Sequence, residues 1–242
     1  MSWIKLSEFQ NNQVIKKSYD STITFWKFEN GKVWHQWKKL MSADFESFEI
    51  YENNDFIARD KNNVYHAWTK LNKVDRDTFK EVGNSYWKDK KLAFIENETS
   101  ITALKGLDSK SFNYIGNGFA FDKDFAYWCG RVIRSSTSPQ TLKIVDGSDS
   151  LAMDSENVFY ESGVLKGADV KSWQFLQGGF SRDEKRIFFG SKKLPKVDIE
   201  TWEHIHRAFS KDKNNVYSMN FIEKDKSPKD WNLDKVIKHY EK

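Results

Sequence analysis

The hexapeptide "DKNNVY" stands at residues 60–65 and again, unchanged, at 212–217. Six identical residues 152 positions apart raise a single question, whether anything of the same kind lies between them. Aligning the chain on the aspartate answers it. "IARDKNNVYHAW" (57–68) is followed by "YWKDKKLAFIEN" (86–97), "FAFDKDFAYWCG" (119–130), "LAMDSENVFYES" (151–162), "FSRDEKRIFFGS" (180–191) and "FSKDKNNVYSMN" (209–220). A worn copy, "WKFENGKVWHQW", precedes them at 26–37. The acidic position is Glu29, Asp60, Asp89, Asp122, Asp154, Asp183 and Asp212. Five residues later the copies carry Trp34, Tyr65, Phe94, Tyr127, Phe159, Phe188 and Tyr217, an aromatic in each.

A second marker follows each copy. "ADFESF" (43–48), "VDRDTF" (74–79), "LDSKSF" (107–112), "ADVKSW" (168–173) and "VDIETW" (197–202) share the form Asp-x-x-Ser/Thr-Phe/Trp. "TSPQTL" (137–142) puts Ser138 and Leu142 in place of the aspartate and aromatic, and "KSPKDW" (226–231) keeps only Trp231. The unit is about 29 to 33 residues long and recurs about seven times from residue 26 onward.

Each piece has a physical reading. An apolar residue, an Asp-led turn, then a β-branched residue and an aromatic predict strand, tight turn, strand. The aspartate accepts backbone N–H bonds as the turn starts, and an asparagine near its end tolerates the left-handed conformation. "ENGK" (29–32) places Asn-Gly in the same slot, a strong hairpin signal. The second marker predicts a short helical turn with its Asp as N-cap. The expected fold is mainly β with short helices: about seven β-hairpin plus helical-turn units in tandem, stacked as one domain around a continuous aromatic core. Residues 1–25 fall outside the alignment and are expected to form an N-terminal cap, with the array at 26–228. In "KDWNLDKVIKHYEK" (229–242), Trp231, Val236, Ile237 and Tyr240 would line one stripe of a capping helix.

Composition narrows the function classes. Apolar residues are 38% of the 242, but aromatics are 16%, and large rings let few residues fill a core. The charge of +4 comes from 39 basic and 35 acidic residues, interleaved rather than gathered into a nucleic-acid-binding patch. "KDKK" (88–91) and "SKKLPK" (191–196) are short and lie in mixed surroundings, so we read them as loop lysines and expect no nucleic-acid partner. No apolar run could span a bilayer, the start lacks a signal peptide's apolar stretch, and one cysteine excludes an internal disulfide. The expectation is a cytoplasmic protein with no membrane partner.

Candidate chemistry is sparse. The "DKNN" turn lacks the glycine and distant glutamate of a calcium loop. "HIH" (204–206) has no further histidine or cysteine nearby to complete a metal site. Cys129, within an expected strand, reads as a small buried hydrophobe. No nucleophile elbow, phosphate loop or dinucleotide fingerprint occurs. The expectation is therefore no catalytic residues, no metal and no cofactor. What remains is recognition. Strand alternation puts the neighbours of the repeated aromatic on the other face. That face reads His35 and Trp37 in the first copy, His66 and Trp68 in the second, and Trp128 in the fourth. It is either a second core surface or an aromatic and imidazole stripe that meets a partner.

The segments "ARDKNNVYHAWTKLNKVDRDTF" (58–79) and "SKDKNNVY" (210–217) resemble the DKNYY family of bacterial repeat proteins. The resemblance implies the repeat and carries over no catalytic residue. Proteins of this kind are similar in context to immunity proteins, which neutralise bacterial toxins beside which they are encoded. The expected partner is accordingly a cognate protein toxin, occluded by surface contact; the alternative is a structural or scaffolding repeat protein without one.

Overall fold

The hairpin expected at 119–130 is the middle of a larger element. The computed structural model describes residues 3–8, 25–52, 54–83, 85–97 and 99–240. In it the Asp122 repeat is a four-stranded antiparallel meander of Asn113–Gly116, Phe119–Phe121, Ala126–Trp128 and Arg131–Val132. Its central pair sets Phe119 opposite Trp128, Ala120 opposite Tyr127 and Phe121 opposite Ala126. The Asp60, Asp89, Asp154, Asp183 and Asp212 repeats form meanders of the same order, and the Glu29 copy has three strands. The chain is thus a mainly β tandem repeat of seven small sheets among the described residues.

Three kinds of turn occur among the modules, and they differ in backbone demand. In the Glu29 copy, Asn30 (φ 52°) and Gly31 (φ 72°) make the two-residue turn that Asn-Gly predicts. The "DKNN" turn is four residues long instead, closed by the Asp60 N–H donating to the Asn63 carbonyl at 2.9 Å. Neither Asn62 nor Asn63 takes a positive φ, so the left-handed asparagine expected there is corrected. Left-handed residues sit where the chain turns into the last strand of the module: Gln36, Ala67, Cys129, Glu161, Gly190 and Met219. The second marker forms one 3₁₀ turn at Phe45–Ser47 and another at Pro139–Thr141, and simple turns in the other copies. Asp44 caps the first as expected, its side chain accepting from the Ser47 N–H.

In the Asp60, Asp154 and Asp183 sheets both faces are buried, because the two residues at the heart of the third strand point to opposite neighbours. Tyr65 packs with Trp26, Val33 and Phe48 of the preceding segments, whereas Val64 packs with Phe79, Trp87 and Phe94 of the following ones. Phe159 and Val158 divide in the same way, as do Phe188 and Ile187. Among the described residues the core falls into separate clusters that adjacent modules of one unit share, rather than the continuous core expected. A four-stranded sheet this short is marginal alone, so each module depends on the cluster it shares.

The described residues fall into two compact units, 1–110 and 111–242. In the first, Trp3–Lys5 adds a strand beside Glu49–Tyr51 and Leu6 is fully buried; most of the segment expected as an N-terminal cap, residues 9–24, lies outside the described ones. In the second, the helix Leu233–Tyr240 follows the last sheet. Of the stripe expected there, Val236 is buried and Ile237 is exposed. The Tyr240 side chain lies outside the description.

Candidate functional site

The repeated carboxylates must be assigned first, since they outnumber every other candidate group. Asp60 Oδ1 accepts the backbone N–H groups of Asn62 (2.8 Å) and Asn63 (2.7 Å). Its Oδ2 accepts the Tyr65 hydroxyl (2.7 Å) and the Asp44 N–H (3.1 Å). Asp212 repeats the set with Asn214, Asn215, Tyr217 and Asp198. Where the aromatic has no hydroxyl, another donor approaches Oδ2: Ser136 for Asp154, Arg186 for Asp183. The Ser or Thr of the second marker closes the joint, its oxygen accepting the N–H that follows the turn aspartate: Ser47 from Lys61, Thr78 from Lys90, Thr201 from Lys213. Those lysines pair in turn with Asp44, Asp75 and Asp198 at 2.6–2.8 Å.

The electrostatics follow. Burial opposes ionisation of Asp60, but bonds from Tyr65 and from the Asn62, Asp44 and Asn63 N–H groups outweigh it and hold the carboxyl below its ordinary value. Burial, then the bond to Asp60, pushes the Tyr65 phenol up. These groups are committed to architecture.

Unit 1 carries an additional set of polar and aromatic groups off this pattern. Four rings step across its first two modules: Phe25 to His35 (5.7 Å), His35 to Phe56 (5.7 Å), and Phe56 stacked on His66 (5.7 Å, 16°). His35 and His66 are buried, and His35 Nε2 lies 3.1 Å from the Asp55 carbonyl. Trp68 lies 6.0 Å from His35 and is 39% exposed, with Lys38 Nζ 4.7 Å over its ring. Trp37 is 77% exposed. Beyond His66, the Glu96 carboxylate is 8% exposed and accepts Trp87 Nε1–H (2.7 Å) and Asn54 Nδ2–H (2.8 and 3.0 Å). His66 Nε2 lies 3.4 Å from its Oε1 without making a hydrogen bond. An open pocket of about 430 Å³ ends on Glu96, between Asn54, Phe56, Ser85 and Asn97.

The DKNYY family model matches residues 2–98 and 99–220. The chain belongs to the DKNYY family. No curated protein and no solved structure matches it. The "DKN" of the name is, in this DKNYY protein, the turn just described, and the aromatic after it is the ring whose hydroxyl returns to the aspartate.

The predicted stripe of His35, Trp37, His66, Trp68 and Trp128 is split. Strand alternation assumed that the strand runs through His-x-Trp, but it ends at His35 and His66. Gln36 (φ 53°) and Ala67 (φ 51°) then turn the chain, so the histidines point into the core while the tryptophans ride outward on the loops. The imidazoles are thus removed from any exposed stripe, and Trp37 and Trp68 remain at the surface. Trp128 of this DKNYY protein is half-buried against the Phe119 and Phe159 cluster of unit 2. Cys129 is corrected as well: it is exposed in the loop at φ 45°, not buried in a strand. His204 and His206 share the strand Glu203–His206, but the register shifts between them and His204 Nε2 lies 2.7 Å from the Arg207 carbonyl. Among the described residues, no group of three His, Cys, Asp or Glu could hold a metal ion, and no helix is long and apolar enough to cross a membrane. The Glu96 pocket was missed by sequence reasoning; the interval of 33 residues from Asp89 to Asp122 does not single the module out, since Asp122 to Asp154 is 32 with an ordinary hairpin.

Proposed function

We propose that this DKNYY protein is a non-enzymatic cytoplasmic binding protein that acts as an immunity protein, occluding a cognate antibacterial toxin. One observation carries the binding reading: Trp37, 77% exposed on the loop after Lys32–His35, beside the Lys38 and Trp68 pair. Exposed tryptophan at a rigid site is the residue type that most often anchors a protein interface. The repeat carboxylates support the non-enzymatic part, since they are engaged in turns and caps. The toxin is supported by the similarity in context to immunity proteins. A stable complex of this class buries about 1,600 Å² in total, so the contact extends well beyond the tryptophans. The second reading, a scaffolding repeat protein, uses the same tryptophans for a different partner.

The test is purification of the tagged chain from its host, with mass spectrometry of what comes with it, followed by co-expression with a toxin encoded alongside. Immunity requires that the chain rescue growth. Capture of a partner without rescue from any neighbouring toxin would move the assignment to scaffolding.

A further inference from the structure

Glu96 stands outside the turn chemistry that absorbs the repeat aspartates, and the reason is local. In the other copies the residue seven positions past the acidic one opens the loop between the last two strands of the module; these are Gln36, Ala67, Cys129, Glu161, Gly190 and Met219, all left-handed. In the Asp89 module both strands run further, as Ala93–Asn97 and Ser100–Ala103, with Glu96 opposite Ile101. The position becomes a strand residue, and its carboxylate turns inward among Trp87, Asn54 and His66.

Burying this charge has a cost that its hydrogen-bond donors do not offset, and its one ionisable neighbour, His66, stands 3.4 Å from Oε1 without a hydrogen bond to it. The Trp87 indole and the Asn54 amide are neutral donors that a neutral acceptor would satisfy without desolvating an anion. Among the described residues, no lysine or arginine pairs with Glu96. A carboxylate has about four acceptor positions. Trp87 and Asn54 take three, two on Oε2 and one on Oε1. One remains on Oε1, the oxygen 3.4 Å from His66 Nε2, and Glu96 lines an open pocket of about 430 Å³ together with Phe56 and Asn54.

We propose that this pocket receives an arginine side chain of a protein partner, with Glu96 accepting one guanidinium N–H and Phe56 lying against the planar group. A flat, weakly hydrated cation suits a site with one free acceptor and one aromatic wall. Phe56 also belongs to the ring series that leads to Trp68, so pocket and exposed tryptophan lie on the same set of elements. The inference rests on the binding-protein reading and gives the partner a chemistry.

N-acetyl-arginine amide is the probe, titrated into the full ¹⁵N-labelled chain, with N-acetyl-citrulline amide as the neutral isostere. The Trp87 indole N–H resonance reports, since it donates to the same carboxylate. It should shift saturably with arginine and at least tenfold less with citrulline, and Glu96→Gln should abolish the arginine response while the other indole resonances stay in place. Equal responses to both amides, or none to either, would overturn the assignment, and this comparison needs no variant to fold. If Glu96→Gln captures the native partner as well as the unaltered chain does, the pocket assignment falls and the binding reading stands. An arginine-selective response with no partner captured has the reverse meaning.

Discussion

A single carboxylate ties three segments together in each well-preserved module. Asp60 holds its own turn, the phenol of the following strand and the N–H of Asp44, sixteen residues earlier. Removing one acceptor strands several donors at once, and a stranded buried donor costs about 1–3 kcal/mol. Asp60→Ala should lower stability to urea by about 3 kcal/mol, whereas Tyr65→Phe, which deletes one bond and one donor together, should cost about 1 kcal/mol. Equal losses would mean that the turn bonds contribute nothing. The same groups set the acid response. Asp44, Asp60, Asp75, Asp169 and Asp198 all lie below the ordinary value of 3.8 when folded. The unfolded chain therefore binds more protons as pH falls past that value, and stability decreases with falling pH. We expect a plateau in thermal midpoint above about pH 5 and a steep decline below about pH 4, shallower in Asp60→Asn. A midpoint independent of pH between 5 and 3 would contradict the role given to these carboxylates.

At the level of the element, the four-residue Asp-led turn and the strands beside it are legible because their side chains carry the information: an acceptor first, a β-branched residue and a ring after. The last strand is not legible. It is two residues long in most modules, as in Arg131–Val132, Gly163–Val164 and Lys192–Lys193, too short for any periodicity. The loop before it places residues as unlike as Gln36, Ala67 and Met219 at positive φ, so composition does not reveal it either. Glycine is required elsewhere for space. At Gly178 (φ +67°) a Cβ would overlap the Arg207 carbonyl oxygen and His204 Nε2, whereas at Gly147 (φ +79°) it would meet only Phe175 at 3.7 Å. Gly147→Ala should cost about 1–2 kcal/mol from backbone conformation alone, and Gly178→Ala at least about 2 kcal/mol more. Denaturant midpoints of the two variants check this, and equal losses would mean that the strand pair relaxes around the added methyl.

For the molecule as a whole, the division of labour separates packing from recognition. Trp37 buries little, so Trp37→Ala should change stability by no more than about 0.5 kcal/mol. Trp68 packs on His35 and Lys38, and its loss should cost about 1 kcal/mol. The double variant should keep the native circular dichroism and bind the native partner at least about 100-fold more weakly, because anchoring residues are worth about 2 kcal/mol or more each. Unfolding of the double variant would assign the tryptophans to the core, and undiminished binding would place the interface elsewhere.

The repeat, its period, its β character and the structural duty of the aspartates follow from the sequence alone, because tandem copies expose the side chains that each turn and strand requires. Tertiary structure decided which residues of one module face the next, and it alone turned His35 and His66 inward while leaving Trp37 and Trp68 outside. Direction depends on where a strand stops, and a two-residue loop leaves little trace in composition. The Glu96 pocket belongs to the same class: a longer hairpin brings into one place groups up to 42 residues apart, a proximity that only packing creates.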